Sequence, residues 1–412
     1  MNIAVLGFGV VGTGVVEVIR KSGESISRKA GDSINIKYIL DVRDFSGHPE
    51  SEIVTKNPED IFSDPEINIV VETIGGIGVA YEFTKRALMA GKHVVTSNKE
   101  LVATHGPELL KIAKEKNVDY LFEASVGGGI PIIKPLYECL AANKITSITG
   151  ILNGTTNYIL TSMVREGKKF EDALKDAQAK GYAEANPTAD IEGHDSCRKI
   201  AILSSIAYGI FVDYKNIYTE GISQITINDL QYAEACNYKI KLIAYSKLRD
   251  EKIFARVCPV MLDSTHPLAN VEDVFNAILV SGDAIGDVMF YGRGAGKMPT
   301  ASAVVGDIID IIKNIDRSHM YTWDEEKENS MANLDYDEIR YFVRVKVRSM
   351  DEAKNFIITN FGITEFIELE NWKDQLAFKT QRGLEKEIRE KLELLNGIGS
   401  VSKVFSAIRV FE

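Results

Sequence analysis

Apolar and polar positions alternate along the first 130 residues in two rhythms. Short apolar runs, bounded by Gly, Asp, Asn or Ser, read as buried strands: Asn2–Leu6, Ile34–Leu40, Ile67–Glu72, Lys92–Thr96 and Val118–Phe122. Between them, apolar residues three and four apart predict helices after Gly12, over Tyr81–Gly91 and over His105–Lys116. The polar stretch Ser22–Ser33 is expected to lengthen the first crossover. Strands that alternate with helices imply a parallel sheet of the α/β class.

The rhythm changes at Ile132. Helices are predicted over Pro135–Ala142, Tyr158–Arg165, Phe170–Lys180 and Lys199–Tyr208, and a strand over Ile145–Leu152. Ile222–Lys241 and Phe254–Met261 should complete a second, mixed sheet and its covering helices. Ala301–Lys313 reads as a helix expected to return to the first domain, which would then be discontinuous. Asn314–Tyr336 is polar and acidic, a linker composition. Beyond it come strand Ile339–Val347, helix Asp351–Asn360, strands Ile363–Leu369 and Gln375–Thr380, helix Gly383–Leu395 and strand Val401–Val410. That order, βαββαβ, is ferredoxin-like. The expected domains are residues 1–131 with about 295–315, then 132–294, a linker over 315–336, and 337–412.

Composition narrows the class. A chain of 412 residues is too long for one ordinary domain of roughly 100–200 residues. With 45% apolar and 26% charged residues it reads as a globular protein. A net charge of −11 disfavours nucleic-acid and anionic-membrane partners. No window has the unbroken apolar length of a membrane span, and the opening MNIAVLGFG lacks a signal peptide's basic region. Cys139, Cys197, Cys236 and Cys258 are scattered, which fits a reduced cytoplasmic protein without disulfides.

The first strand runs straight into Gly7-Phe8-Gly9-Val10-Val11-Gly12, and helical spacing follows. Strand, GxGxxG and helix together predict dinucleotide binding. Gly7 permits the tight turn, Gly9 lets a pyrophosphate approach, and Gly12 lets helix and strand pack closely. Asp41, at the end of the second strand, could accept a ribose 2′-hydroxyl of NAD; Arg43 could pair with the 2′-phosphate of NADP. The balance leans to NADP. Thr73 opens the loop after the third strand, where a cofactor could pass, and Lys99 follows the fourth strand's carboxyl end, where ligands bind in such sheets. Glu123 precedes Val126, three glycines, Ile130 and Pro131. That turn could hold a hard cation by oxygen ligands, or serve as a hinge.

The central stretch Ala177–Lys199 holds Glu184, Asp190, Glu192 and Asp195 ahead of Lys199, and is broken by Gly181, Pro187 and Gly193. It reads as a helix end, a polar loop and a new helix with Asp195 or Ser196 at its cap or first turn. Acids beside one lysine suit acid–base chemistry, although a solvated acidic loop has the same composition. Asn153-Gly154-Thr155-Thr156-Asn157 offers amides and hydroxyls to a small polar ligand. His194 with Cys197 could suggest zinc, but no second pair at ligand spacing accompanies them.

In these motifs the chain resembles homoserine dehydrogenase. The likeness rests on the stretch from Ala177 to Lys199, on EASVGGGIPII after the fifth strand, on NGTTNYIL, and on Gly292-Arg293-Gly294-Ala295-Gly296-Lys297-Met298-Pro299-Thr300. Because the chain opens on the first strand, the resemblance is to the form without a fused aspartate kinase. It implies reversible reduction of L-aspartate 4-semialdehyde to L-homoserine by NAD(P)H, in threonine, methionine and isoleucine biosynthesis. It implies Lys199 as proton donor and acceptor, and Lys99 as the group that polarises the carbonyl and fixes the nicotinamide side. Glu184 would take the substrate ammonium, Asp190 and Asp195 would orient the hydroxyl end and Lys199, and Gly154 and Thr155 would line the substrate site. Gly181 and Gly296 would contact the cofactor. Glu123, with the carbonyls of Val126, Gly128 and Ile130, matches a monovalent-cation (Na+) site. A homodimer or homotetramer is the family's habit. The C-terminal module resembles an ACT domain, a class that binds amino-acid effectors. Arg348-Ser349-Met350-Asp351 replaces that class's usual turn after the first strand, which puts effector binding in doubt.

Overall fold

The computed structural model describes residues 1–315, 321–324, 330–370 and 372–411. Two compact units form. One comprises Met1–Ile148, Arg198–Asn216 and Val280–Glu328, the other Thr149–Cys197, Ile217–Leu279 and Asn329–Glu412.

The first unit is built on strands β1 (Asn2–Leu6), β2 (Asn35–Leu40), β3 (Val54–Thr55), β4 (Ile67–Glu72), β5 (His93–Thr96) and β6 (Tyr120–Leu121), in the order β3-β2-β1-β4-β5-β6. Every pairing is parallel. This is the Rossmann order, and its crevice opens where the order reverses, at the carboxyl ends of β1 and β4. Strands covered on both faces need continuous apolar sequence, and Ile3, Ala4, Val5 and Leu6 are all fully buried.

The helices of this unit run longer than their apolar rhythm suggests. The first spans Val10–Ala30 and takes in the polar stretch from Ser22 as far as Ala30. Its outer face is polar, but Ile26 and Ala30 still reach the core, and a kink at Ser22 (φ −118°) lets the chain re-aim. The fourth strand is followed at once by helix Lys99–Lys116, six residues earlier than expected. Asn98 caps it, its Oδ1 accepting the Leu101 N–H at 3.1 Å. Helix Lys297–Lys313 packs on Val10–Ala30, and Gly14 makes the approach possible: a Cβ there would lie 3.0 Å from Ala301 Cβ. The fifth predicted strand shortens to Tyr120–Leu121, and Glu123–Ser125 forms a 3-10 turn.

The remaining strands are β7 (Ile145–Ile151), β8 (Tyr218–Thr219), β9 (Tyr238–Arg249), β10 (Lys252–Asp263), β11 (Phe275–Gly282), β12 (Gly286–Arg293), β13 (Glu338–Val347), β14 (Gln375–Lys379), β15 (Gly383–Leu384) and β16 (Val401–Phe411). In the second unit β9 and β10 make a long antiparallel hairpin, from Lys252 opposite Arg249 to Asp263 opposite Tyr238. Asp250 and Glu251 turn it, both left-handed at φ 52° and 59°. The order continues β10-β16-β13-β14. The pairing of β16 with β10 is parallel, Val260–Leu262 against Arg409–Phe411, and β13 is antiparallel to both β14 and β16.

The C-terminal residues therefore extend the second unit's sheet. Helices Met350–Phe361 and Glu385–Gly397 cover it over a core that includes Val343, Val345, Ile357, Phe378 and Leu395. Ile363–Leu369, expected as a strand, forms no ladder: only Ile367 bridges to Ala377. Ile363 and Phe366 of that stretch nonetheless pack on the same core. Of the expected linker, residues 316–320 and 325–329 lie outside the described residues, whereas Tyr321 is buried against Phe122 at 5.1 Å between ring centroids.

Candidate functional site

The glycines of the first turn are required by contact. Gly7 adopts φ 89°, and a Cβ on it would stand 2.9 Å from the Thr73 carbonyl oxygen. At Gly12 a Cβ would lie 2.0 Å from the Gly7 carbonyl oxygen, closer than any side chain can sit. Gly9 is the opposite case: nothing lies within 4 Å of its Cβ position. It caps helix Val10–Ala30 without a side-chain cap, and a helix start left in that state suits an anion. Val10, Val42 and Ile74 expose apolar surface at the carboxyl ends of the strands (68%, 83% and 38% exposed).

Asp41 is committed within the loop. Its Oδ2 accepts the Phe8 N–H at 2.7 Å, and both its oxygens accept from the Arg43 side chain, at 3.0 and 2.7 Å. The Arg43 guanidinium, with those backbone donors, holds the Asp41 carboxyl well below the usual carboxylate range. Arg43 itself is more than half exposed and lies over the Phe45 ring at 5.2 Å.

Two bracing residues escaped the sequence reading. Glu72 is fully buried at the end of β4, where it accepts the Ile74 N–H at 2.7 Å and the Thr96 hydroxyl at 2.5 Å. Burial pushes its carboxyl up, against those hydrogen bonds. Thr73 donates its hydroxyl to the Gly7 carbonyl at 2.8 Å, and Asn98 donates to the Gly76 carbonyl at 2.5 Å. The signal was available: both Glu72 and Asn98 stand at a strand's carboxyl end, where Rossmann ligands bind.

The two glycine loops of the first unit meet. Gly128 (φ 58°) lies so close that a Cβ would fall 2.4 Å from the Gly294 carbonyl oxygen, and the Gly129 N–H donates to the Arg293 carbonyl at 3.2 Å. The Glu123 carboxylate accepts the N–H groups of Ile132, Ile133 and Lys134 at 2.6, 2.8 and 2.7 Å. Its own N–H donates to Asp307 at 2.9 Å. Burial raises both carboxyls, Asp307 furthest, because it also faces the Glu123 charge. Gly296, at φ 125°, caps helix Lys297–Lys313 without a side-chain cap.

Lys99 is the first residue of helix Lys99–Lys116, and Lys199 lies buried in helix His194–Tyr208. Their sequence neighbours Glu100 and Arg198 form an ion pair at 3.3 Å.

Two of the four acids of the central stretch, Asp190 and Asp195, gather on an amide. Asn153 Nδ2 donates to Asp190 at 2.7 Å and to Asp195 at 2.9 Å, while its Oδ1 accepts the Thr156 N–H at 2.9 Å. Asn153 thus caps helix Gly154–Glu166, which starts four residues before the predicted Tyr158. The Asn-Gly-Thr-Thr run therefore presents its amides and hydroxyls from a helix start. A Cβ on Gly154 would meet the Val274 carbonyl oxygen at 2.7 Å. Thr155 donates its hydroxyl to the Tyr182 carbonyl at 2.6 Å, bracing the segment that carries Gly181 (φ 73°) and the exposed Glu184. The Gly193 carbonyl accepts the Cys197 N–H at 2.9 Å, so helix His194–Tyr208 begins there, with Asp195 in its first turn and Lys199 one turn on. Asn153, the hub, belongs to the run that offers amides to a polar ligand, but its tie to both acids is visible only in the structure.

The chain matches two family models: one described as homoserine dehydrogenase, over residues 131–309, and one as the homoserine dehydrogenase NAD binding domain, over residues 7–123. It is 38% identical over 427 residues to a homoserine dehydrogenase of Neisseria gonorrhoeae, covering 100% of this chain and 98% of that protein. A Bacillus subtilis homoserine dehydrogenase is 37% identical with the same coverage. The crystal structure of a homoserine dehydrogenase from Thiobacillus denitrificans superposes with a TM-score of 0.92 at 38% identity, over 100% of this chain and 98% of that one. A hyperthermophilic archaeal homoserine dehydrogenase mutant in complex with NADPH superposes at 0.62 with 32% identity, over 75% of this chain and 96% of that one.

Proposed function

This chain belongs to the homoserine dehydrogenase family, and on that premise we propose how its own residues carry the reversible NAD(P)H-dependent reduction of L-aspartate 4-semialdehyde to L-homoserine. The observation that carries the reading is Lys199, buried one helical turn from Asp195, which Asn153 ties to Asp190. The nicotinamide, when bound, supplies the hydride. Lys199 gives the proton to the carbonyl oxygen as charge develops there, and takes it back in homoserine oxidation. Lys99 polarises the same oxygen from the start of its helix. Glu184, exposed, receives the substrate ammonium. Asp195 and Asp190, held by Asn153, orient Lys199 and the hydroxyl end; Gly154 and Thr155 shape the wall beside them.

The room at Gly9 and the crowding at Gly7 and Gly12 fit a dinucleotide pyrophosphate on the N–H groups of Val10, Val11 and Gly12. Phe8, Thr73, Gly181 and Gly296 complete the cofactor contacts in this proposal. Arg43 reads the 2′-phosphate: it is the exposed partner of its pair, and Asp41 is engaged by Phe8 and Arg43. NADP is therefore the preferred cofactor. A monovalent cation such as Na+ would be held by the carbonyls of Glu123, Val126, Gly128 and Ile130, steadying the turn. An ACT-like reading of residues 337–412 is supported by two helices over the antiparallel set β16-β13-β14. A homodimer and a cytoplasmic location belong to the same proposal; among the described residues no helix is long and apolar enough to cross a membrane.

Initial rates with homoserine and each of NAD and NADP test the scheme. Lys199→Ala should lower turnover by roughly 10²–10⁴-fold, the range of a lost general acid–base group, with cofactor affinity kept. Turnover that survives the substitution removes Lys199 from the mechanism.

A further inference from the structure

A buried lysine of the second unit fastens the start of helix Gly154–Glu166. Lys241 lies on β9, and its Nζ donates to Asn157 Oδ1 at 3.0 Å and to the Val271 carbonyl at 2.6 Å. The first of these bonds fixes the Asn157 amide. With Oδ1 turned to the ammonium, Nδ2 donates to the carbonyls of Val271 and Phe275, at 3.2 and 3.1 Å.

The segment Val271–Phe275 is stitched to that helix along its length. Asn157 holds the segment's two ends. The Thr161 hydroxyl accepts the Asp273 N–H at 3.1 Å. Val274 sets its carbonyl against Gly154, where a Cβ would stand 2.7 Å from the oxygen. Asp273 is left-handed at φ 56°, a conformation that such a residue keeps only when its surroundings hold it there. Asn157 in turn lies one helical turn after Asn153, and its N–H donates to the Asn153 carbonyl at 3.3 Å. Asn153 carries Asp190 and Asp195. The line of bonds therefore runs from Lys241 through Asn157 and Asn153 to the two acids.

Filling space does not require a lysine here. A methionine has the same length, and replacing a buried charge by an apolar side chain is often neutral or stabilising. Desolvation lowers the Lys241 pKa to about 8, the mark of a charge held at a cost. Glu272 and Asp273 oppose that fall, whereas Lys239 and Arg165 add to it. What an ammonium supplies and carbon does not is direction: its donors are fixed in angle, and a fully satisfied buried network holds one arrangement.

We propose that Lys241 is a positioning residue for the substrate wall: by holding the Asn157 amide and the Val271 carbonyl together, it sets where helix Gly154–Glu166 begins, and so the place from which Asn153 reaches Asp190 and Asp195. Lys241 is buried and acts through Asn157. The proposal rests on the reading that Asn153, Asp190 and Asp195 border the homoserine site.

The test is steady-state kinetics of the full chain. Lys241→Met keeps the side chain's length and removes its donors. KM for homoserine should rise by about tenfold, the factor that one hydrogen bond to a charged group is worth. KM for NADP should stay unchanged, and the urea midpoint at neutral pH should not fall. A general loosening of the fold would instead reduce the amount of active enzyme, lowering apparent kcat and leaving both KM values alone. Asn157→Leu should also raise KM for homoserine, and Lys241→Met should add nothing on top of it, because the two residues act in one line. An unchanged KM for homoserine in Lys241→Met, an equal rise in both KM values, or additive effects in the double variant overturns the proposal. If Asn157→Leu does not fold, the Lys241→Met comparison decides alone. Asn153→Ala tests the underlying reading. If it leaves KM for homoserine unchanged, the substrate lies elsewhere and that reading falls; if it raises KM while Lys241→Met does not, only the positioning role falls.

Discussion

At the scale of single residues, the first unit separates two jobs that a sequence motif merges. Asp41 stands where a ribose-reading acid belongs, yet its carboxylate is held by the Phe8 N–H and the Arg43 guanidinium. It supports the loop, and Arg43 presents the charge. Arg43→Ala should raise KM for NADP by tenfold or more, about the 1.4 kcal/mol of one charge-assisted contact, and move KM for NAD far less. Equal changes in the two would return the selection to Asp41. The motif glycines are legible because strand, GxGxxG and helix follow one another at a recognisable spacing, whereas Lys99, Lys199 and the central acids stand out in the sequence only as candidates. The bracing bonds of Asn153, Glu72 and Asn98 are not legible there. Their value lies in hydrogen bonds to partners distant in sequence, such as Asn153 to Asp190 and Asp195, and no spacing rule encodes those.

At the scale of elements, the parallel strands were read well because burial on both faces leaves continuous apolar runs. The β9–β10 hairpin was read as unrelated pieces. A two-residue turn with both residues left-handed usually announces itself as Asn-Gly; here it is Asp250-Glu251. Within that hairpin Lys241 is buried, and its Nζ donates to the Val271 carbonyl at 2.6 Å and to Asn157 at 3.0 Å. Desolvation lowers its pKa from 10.5 to about 8. Between those values the unfolded chain binds the proton that the folded chain releases, so stability from this group rises with pH across that window. Below pH 8 the full penalty stands, on the order of 3 kcal/mol. Urea unfolding of the parent and of Lys241→Met should therefore show the parent gaining on the variant between pH 8 and 10; parallel pH curves would mean that Lys241 titrates normally. Arg256→Met tests the charges beneath the same hairpin. It leaves the buried Asp337 and Glu385 each with one cation fewer, and should cost about 3 kcal/mol, against less than about 1 kcal/mol for removing the exposed Arg20 from Glu50.

At the scale of the whole molecule, the C-terminal residues look separable in sequence and are built into the second unit's sheet in space. An acidic stretch precedes them and their βαββαβ rhythm is self-contained, so the sequence suggests a tethered module. The strand β16, however, pairs with β10, and Arg344 binds the buried Asp229 at 2.9 Å. Deleting residues 337–412 should lower the melting temperature by more than about 5 °C, since each buried ion pair broken costs several kcal/mol. A truncated chain that melts with the parent would show the module to be dispensable for folding. Homoserine oxidation by any truncated chain that does fold should persist, because none of the proposed catalytic groups lies beyond Tyr336.

The pairing of Val260–Leu262 with Arg409–Phe411 also sets an order of events during synthesis. When the hairpin leaves the ribosome, one flank of β10 has donors and acceptors waiting for residues that have yet to be translated. Until those arrive, the nascent polypeptide carries an open β edge of the kind that recruits wrong partners. Premature termination anywhere between the hairpin and Arg409 should therefore yield a sticky fragment, and chaperones that shield such edges should matter most for this chain just before its final strand emerges.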